Sequence, residues 1–361
     1  MPQSLAKLSL FLFSASPLVI AQDAPSAVKY WQFTGSVDGL YSLNFDHPAE
    51  RTNLLRNFDT KANAFTLQGA NFGTQFTTSQ FGFHLDAGFG QIYRTIGATD
   101  PRRGANQYIG QLYASYRPIK GSNLQFDFGK FYTPVGAEVI DETTNFNHSR
   151  SLLFALGSPY YHFGLRATVP VTKSLTVGGV VVNGWNDVKD NNSGKTFGVT
   201  LTSTHAKWNW AQTYLAGPEK ADTNHGFRYL YDSVLNVSPA TWVQGYVEVL
   251  AGAEHRAQGN FVDARYDRWN GVAFAAKFNP AKKWSISPRW EMYNDSTGFT
   301  SGLAQHLTEA TLTGEYRPTQ FMTWRLEYRQ DRSNQSFFNN GAKRTQQTLL
   351  VALLLYVKAE R

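Results

Sequence analysis

Apolar residues return at every second position through most of this 361-residue chain, and that period of two constrains its fold more than any other feature. Phe81, Phe83, Leu85, Ala87 and Phe89 share one face, while Gly82, His84, Asp86 and Gly88 share the other. Phe163, Leu165, Ala167 and Val169 alternate in the same way with His162, Gly164, Arg166 and Thr168. Later segments put charge on the polar face. Trp284, Ile286, Trp290 and Met292 alternate with Ser285, Ser287, Arg289 and Glu291, and Met322, Trp324, Leu326 and Tyr328 with Arg325, Glu327, Arg329 and Asp331. A helix would repeat its apolar face every three to four residues, so these segments are strands.

Two folds satisfy the pattern: a soluble sandwich with its apolar face inward, and a membrane barrel with its apolar face toward lipid. Connection lengths separate them. Short stretches with turn residues (77–80, 118–123, 170–174, 203–207, 238–241, 280–283 and 318–320) alternate with longer polar ones (46–63, 95–105, 132–160, 186–194, 217–226, 252–267, 295–305 and 332–345). Both termini fall on the short-turn side, the asymmetry of outer-membrane barrels. The expected fold is all-β, a transmembrane antiparallel up-and-down barrel of about 16 strands with a long third loop folded inward.

Aromatics make up 15% of the chain, which favours strands over a helical bundle. Those near strand ends, such as Trp31 and Tyr41, Trp208 and Tyr214, Trp269 and Phe278, and Trp284 and Tyr293, suggest interfacial girdles. Two places resist the scheme. Pro288 falls inside a strand and predicts a bulge or a boundary there. The last segment is apolar on both faces, with Leu350, Ala352 and Leu354 opposite Leu349, Val351, Leu353 and Leu355.

At the start of the chain, Lys7 precedes an apolar run from Leu8 to Ile20, which reads as a secretory signal peptide cut after Ala21, with the barrel domain in residues 22–361. The run is too short for a membrane-spanning helix, and no other segment reaches the roughly 18 apolar residues that one requires. The exported chain has no Cys, so no disulfide framework stabilises it and a closed hydrogen-bonded ladder must. The net charge of +7 suits anionic lipid or an anionic solute, and export argues against nucleic acid.

The longest connection, 132–160, is the place to look for function. Val135, Val139, Ile140, Phe146, Leu152, Leu153, Phe154 and Leu156 give it enough apolar surface to pack, so it is expected to enter the lumen and narrow it. Glu138, Asp141, Glu142, His148 and Arg150 are its candidate constriction residues, and Arg166, Arg228, Arg289, Arg325 and Arg329 are candidates on the lumen wall. Opposed acids and arginines would sort solutes by charge across a transverse field; the bland alternative is that they pair with one another or are solvated.

The stretch GKFYTPVGAEVIDETTNFNHSRSLLFALGSPYYHFGLR, residues 129–166, resembles the OmpL-like β-barrel porin family. The resemblance rests on Gly129-Lys130, the cluster of Pro134, Gly136 and Glu138, the 147–151 segment with Arg150, and the 162–166 strand. It implies an outer-membrane porin passing small hydrophilic solutes or ions, among outer-membrane lipids, with a mild anion preference expected from the net charge and inward arginines. One departure concerns the end of the chain: Tyr356 is followed by 357–361, which reads as a periplasmic stub. A homotrimer follows only by analogy with sixteen-stranded general porins.

Three rivals stay open: a substrate-specific uptake channel, a plugged structural or adhesive barrel, and a barrel-embedded hydrolase. The last is weakest, because His148 and Ser149 are adjacent and point apart in extended chain, and no Gly-x-Ser-x-Gly or His-Glu-x-x-His motif occurs. The eight His show no ligand spacing, so neither metal nor cofactor is expected.

Overall fold

The alternation becomes a closed barrel of sixteen strands in the computed structural model, which describes residues 30–98, 100, 104–119, 121–256 and 266–360. The strands are β1 Tyr30–Asn44, β2 Ala64–Thr77, β3 Phe81–Phe89, β4 Ile109–Tyr116, β5 Gln125–Tyr132, β6 Tyr161–Pro170, β7 Leu175–Val182 and β8 Thr196–His205. They continue as β9 Trp208–Pro218, β10 Phe227–Ala240, β11 Val243–His255, β12 Tyr266–Ala281, β13 Trp284–Asp295, β14 Gln305–Thr319, β15 Met322–Ser333 and β16 Thr345–Glu360. Each is antiparallel to its neighbours in sequence, and β16 pairs with β1, so no strand edge is left open. The expected signal peptide, 1–21, lies outside the described residues.

Apolar residues face outward and polar ones inward, as the period of two requires. On β13, Trp284, Ile286, Trp290 and Met292 are exposed on the outer face, whereas Ser285, Ser287, Arg289 and Glu291 are buried inside. Cross-strand ring pairs gather at the short-turn rim: Trp31 with Phe76, Phe81 with Tyr116, Trp242 with Phe278, and Trp284 with Tyr316, at 4.4–6.3 Å between centroids. Trp269 and Tyr293, read as girdle residues, instead face the lumen and are buried, because their positions share the parity of the polar face.

Pro288 is accommodated without a bulge or a boundary. It sits on the outer face of an unbroken β13, opposite Leu312 of β14. Toward β12, pairing stops at Arg289 with Ala275 and resumes in the same register at Ile286 with Phe278, so the missing N–H costs a skipped rung. The chain end is also more ordered than a stub: β16 runs to Glu360, which pairs with Gln32. The inner apolar face of β16 is explained by burial, since Leu350 and Ala352 pack against Leu40 in a small lumen-side cluster.

Leu312, at the middle of β14 and 52% exposed, tests the outward assignment. Leu312→Arg is expected to destabilise the barrel in bilayers by about 2–4 kcal/mol, the cost of arginine at the lipid midplane, measured by reversible refolding into vesicles. A change near zero would place this residue away from lipid.

Candidate functional site

Loop 3, residues 133–160, leaves β5 at Tyr132, crosses the lumen and returns to β6 at Tyr161. Two apolar clusters draw it in. Val135, Leu152 and Leu153 join Phe131, Leu250, Trp269 and Tyr293, while Ile140 and Phe154 join Phe58, Tyr161 and the residues Ile92, Tyr93 and Ile96 of helix α1, Gln91–Ile96. The loop's composition therefore does what a buried connection needs, replacing water with apolar contact.

Its backbone must also be satisfied, and acids on the inner face of the wall accept six of its amides. Gly136 N donates to Asp232 of β10 at 2.9 Å and Ala137 N to Glu248 of β11 at 3.1 Å. Gly136 has φ +95°, a left-handed conformation that a side chain would strain, and this turns its amide toward the wall. Further along, His148 N and Ser149 N donate to Glu327 of β15 at 2.6 and 2.9 Å, and Leu152 N to Glu291 of β13 at 2.8 Å. Asn147 Nδ2 donates to the Ser287 carbonyl and to Thr313 Oγ1. Thr213 Oγ1 of β9 donates to the Pro134 carbonyl at 3.3 Å, so loop 3 is held to the wall from β9 to β15, beyond the strands that carry it.

Strand register explains why the wall can do this. Arg289, Thr311 and Arg329 lie in one cross-strand row, and Glu291, Glu309 and Asp331 in the next. Rows of guanidinium beside rows of carboxylate present donors and acceptors together. Arg289 donates to Glu138 at 2.6 Å, to the Ser149 carbonyl at 2.7 Å and to Glu309 at 3.1 Å. Arg325 binds Glu142 and, at 2.9 Å, Glu315. Arg150, inside the loop, binds Glu142 as well and donates to the carbonyls of Val139, Ile140 and His148 at 2.9–3.0 Å. Arg329 reaches the Arg150 carbonyl and pairs with Asp331. Such buried charges are tolerable only because each has partners; removing one would strand the others.

The structure brings seven of the ten predicted residues together: Glu138, Glu142, His148, Arg150, Arg289, Arg325 and Arg329, all buried. They meet in contact, not across an open gap. Asp141 stands aside, its carboxylate accepting from Thr143 of its own turn. Arg166 pairs with Asp127 on the β5–β6 wall and stacks over Phe131, 4.7 Å from the ring centroid. Arg228 lies at the long-loop mouth, paired with Glu254 and held over Trp185. Nearby, burial pushes the Glu219 carboxyl up to about 7 and that of Asp187 up to about 6, so this mouth loses negative charge in mild acid. The residues missed from sequence are the anchoring acids Asp232, Glu248, Glu291 and Glu327, together with Glu309, which holds Arg289 on the wall. Their signal was available, since they occupy inward positions on the polar faces of their strands.

A closed antiparallel barrel with an apolar outer belt, a polar lumen and a loop folded across it defines an outer-membrane channel of the porin class. The chain belongs to the family described as "Putative beta-barrel porin-2, OmpL-like", whose model matches residues 30–356, and it is a porin of the bacterial outer membrane. Among solved structures it is similar to the outer membrane channel DcaP of Acinetobacter baumannii, with a TM-score of 0.63 and 10% identity over 91% of this chain and 97% of that one. OmpT of Vibrio cholerae in its trimer form gives a TM-score of 0.60 and 12% identity over 91% of this chain and 99% of that one. An anion-selective porin from Comamonas acidovorans gives 0.56 and 8%, over 92% and 99%. At these identities the likeness is one of fold. The sequence finds no match among curated proteins.

Proposed function

We propose that this porin passes small hydrophilic solutes by diffusion, without chemistry, and favours anions mildly. The observation that carries the anion preference is an asymmetry in how lumen charges are used. Asp232, Glu248, Glu291 and Glu327 are buried and engaged by loop 3 amides. Beneath the loop, on the short-turn side, a cavity of about 670 Å³ is lined by four cations, Lys277, Lys282, Arg317 and Arg325, and by one acid, Glu138, which is paired with Arg289. Lys277 and Arg317 share Glu315 with Arg325, which also binds Glu142, and Lys282 forms no ion pair with a described acid. A passing solute therefore meets cations whose charge is incompletely balanced, which raises the local concentration of anions. Export by a signal peptide cut after Ala21 and assembly as a homotrimer belong to the same proposal. The trimer form solved for OmpT supports the latter by analogy.

Planar-bilayer recording under a salt gradient tests this reading. The wild type is expected to give open steps with an anion-selective reversal potential. The double variant Lys282→Glu, Arg317→Glu should move that potential toward the cation side while the barrel still folds. A cation-selective wild type would overturn the preference. Absence of conductance from folded protein would select a barrel closed by its own loop.

A further inference from the structure

We propose that Asp38, Glu142 and His148 form a binding site for a divalent cation of the zinc type, which ties the tip of loop 3 to strand β1. Asp38 is on the lumen face of β1, opposite Leu354 of the apolar inner face of β16, and is 1% exposed. Loop 3 places His148 against it, with Nε2 3.6 Å from Asp38 Oδ2 and Nδ1 3.5 Å from Glu142 Oε1. One donor atom from each of the three residues can be chosen so that all lie within 4.8 Å of one another.

These separations are too long for good hydrogen bonds. Because an ion binds one ring nitrogen, the donor set is one atom from each residue, and these atoms, within 4.8 Å of one another, would close toward the roughly 3.3 Å between ligand atoms that share a tetrahedral ion at about 2.0–2.2 Å. The buried atoms Asp38 Oδ1 and His148 Nδ1 have no hydrogen-bond partner. The nearby guanidiniums do not serve Asp38, since Arg150 and Arg325 both bind Glu142. A buried carboxylate beside an apolar patch and without a hydrogen-bonded cation has to be neutralised, either by a proton or by a bound cation. A dication bound by two carboxylates and an imidazole neutralises it. Arg325 can release Glu142 at little loss, because it keeps Glu315 and the Asn145 carbonyl, each at 2.9 Å.

The donor set selects the metal. An imidazole nitrogen with two carboxylate oxygens suits zinc and its transition-metal neighbours, whereas calcium and magnesium prefer oxygen alone. The structural consequence is a ring of attachment. Loop 3 is already fastened from β9 to β15, and the ion would add β1. Ligands at positions 38, 142 and 148 carry no local sequence signature, which is why the His spacing gave no sign of a metal.

The test uses the refolded full chain in detergent, stripped with chelator and titrated with zinc chloride by calorimetry. One saturable site per chain is expected, and Asp38→Asn or His148→Gln should each weaken it about tenfold or more, while His225→Gln on an exposed loop should not. Folding of each variant is checked by its migration on unheated gels. If the buried substitutions prevent folding, X-ray absorption of the zinc-bound wild type decides, with one imidazole and otherwise oxygen ligands expected. No saturable site in folded wild type, a site indifferent to His148→Gln, or a spectrum with two or more imidazoles would each overturn the proposal.

Discussion

Replacing Glu291 and Glu327 together by alanine is expected to release the middle of loop 3 from the wall and raise single-channel conductance about twofold or more, because the narrowest element of a pore sets its conductance. These two carboxylates accept the amides of His148, Ser149, Leu152 and Leu153. Hydrogen bonds to a charged acceptor contribute about 1.5–3 kcal/mol each. Losing four of them leaves the segment held by Asn147, by the apolar contacts of Leu152 and Leu153, and by the Arg289 and Arg329 donors to the Ser149 and Arg150 carbonyls, so it moves away from the β13 and β15 wall without leaving the lumen. The barrel itself should persist, since none of its ladder bonds involves either side chain. The discriminating measurement is therefore conductance together with gel migration, the first changed and the second not. Unaltered conductance in a folded double variant would mean that the permeation path runs elsewhere than past this part of the loop.

The barrel was legible from sequence because the period of two is a property of each strand by itself. Sixteen strands, their outward parity and the inward third loop all follow from local alternation and connection length. What was not legible depends on neighbours. Trp269 and Tyr293 look like girdle aromatics until parity and register place them beneath loop 3. The two apolar faces of β16 make sense only once Leu40 of β1 is brought beside Leu350 and Ala352 by barrel closure. The candidate site divides in the same way. Loop charges and wall arginines stood out as charged residues in informative places. Which acid meets which arginine is decided by cross-strand rows from β13 to β15, and no single segment encodes that. The acids that hold loop amides do not stand out in sequence, because Asp232, Glu248, Glu291 and Glu327 face the protein's own backbone and an inward acid that faces solute occupies the same parity.

Arg289 is where that arrangement is most concentrated, and Arg289→Met is expected to lower barrel stability by about 3–5 kcal/mol, the usual cost of removing one partner of a buried ion pair. The guanidinium is fully buried and lies against Glu138, Glu309 and Glu291, while also donating to the Ser149 carbonyl. Methionine fills much of the volume but leaves three carboxylates crowded together, with Arg329 the only remaining described cation in contact with Glu309. Lysine should recover only part of the loss, because one ammonium cannot reproduce a fork that reaches acids on the loop and on two strands at once. The temperature at which the folded band disappears on gels, compared across Arg289→Met, Arg289→Lys and the double variant Arg289→Met, Glu309→Gln, separates the causes. If stranded charge is responsible, neutralising Glu309 restores stability that the single variant lost. If the double variant is no better than Arg289→Met, the loss lies in packing or in the Ser149 carbonyl, and the charge rows matter for placing the loop more than for holding the barrel.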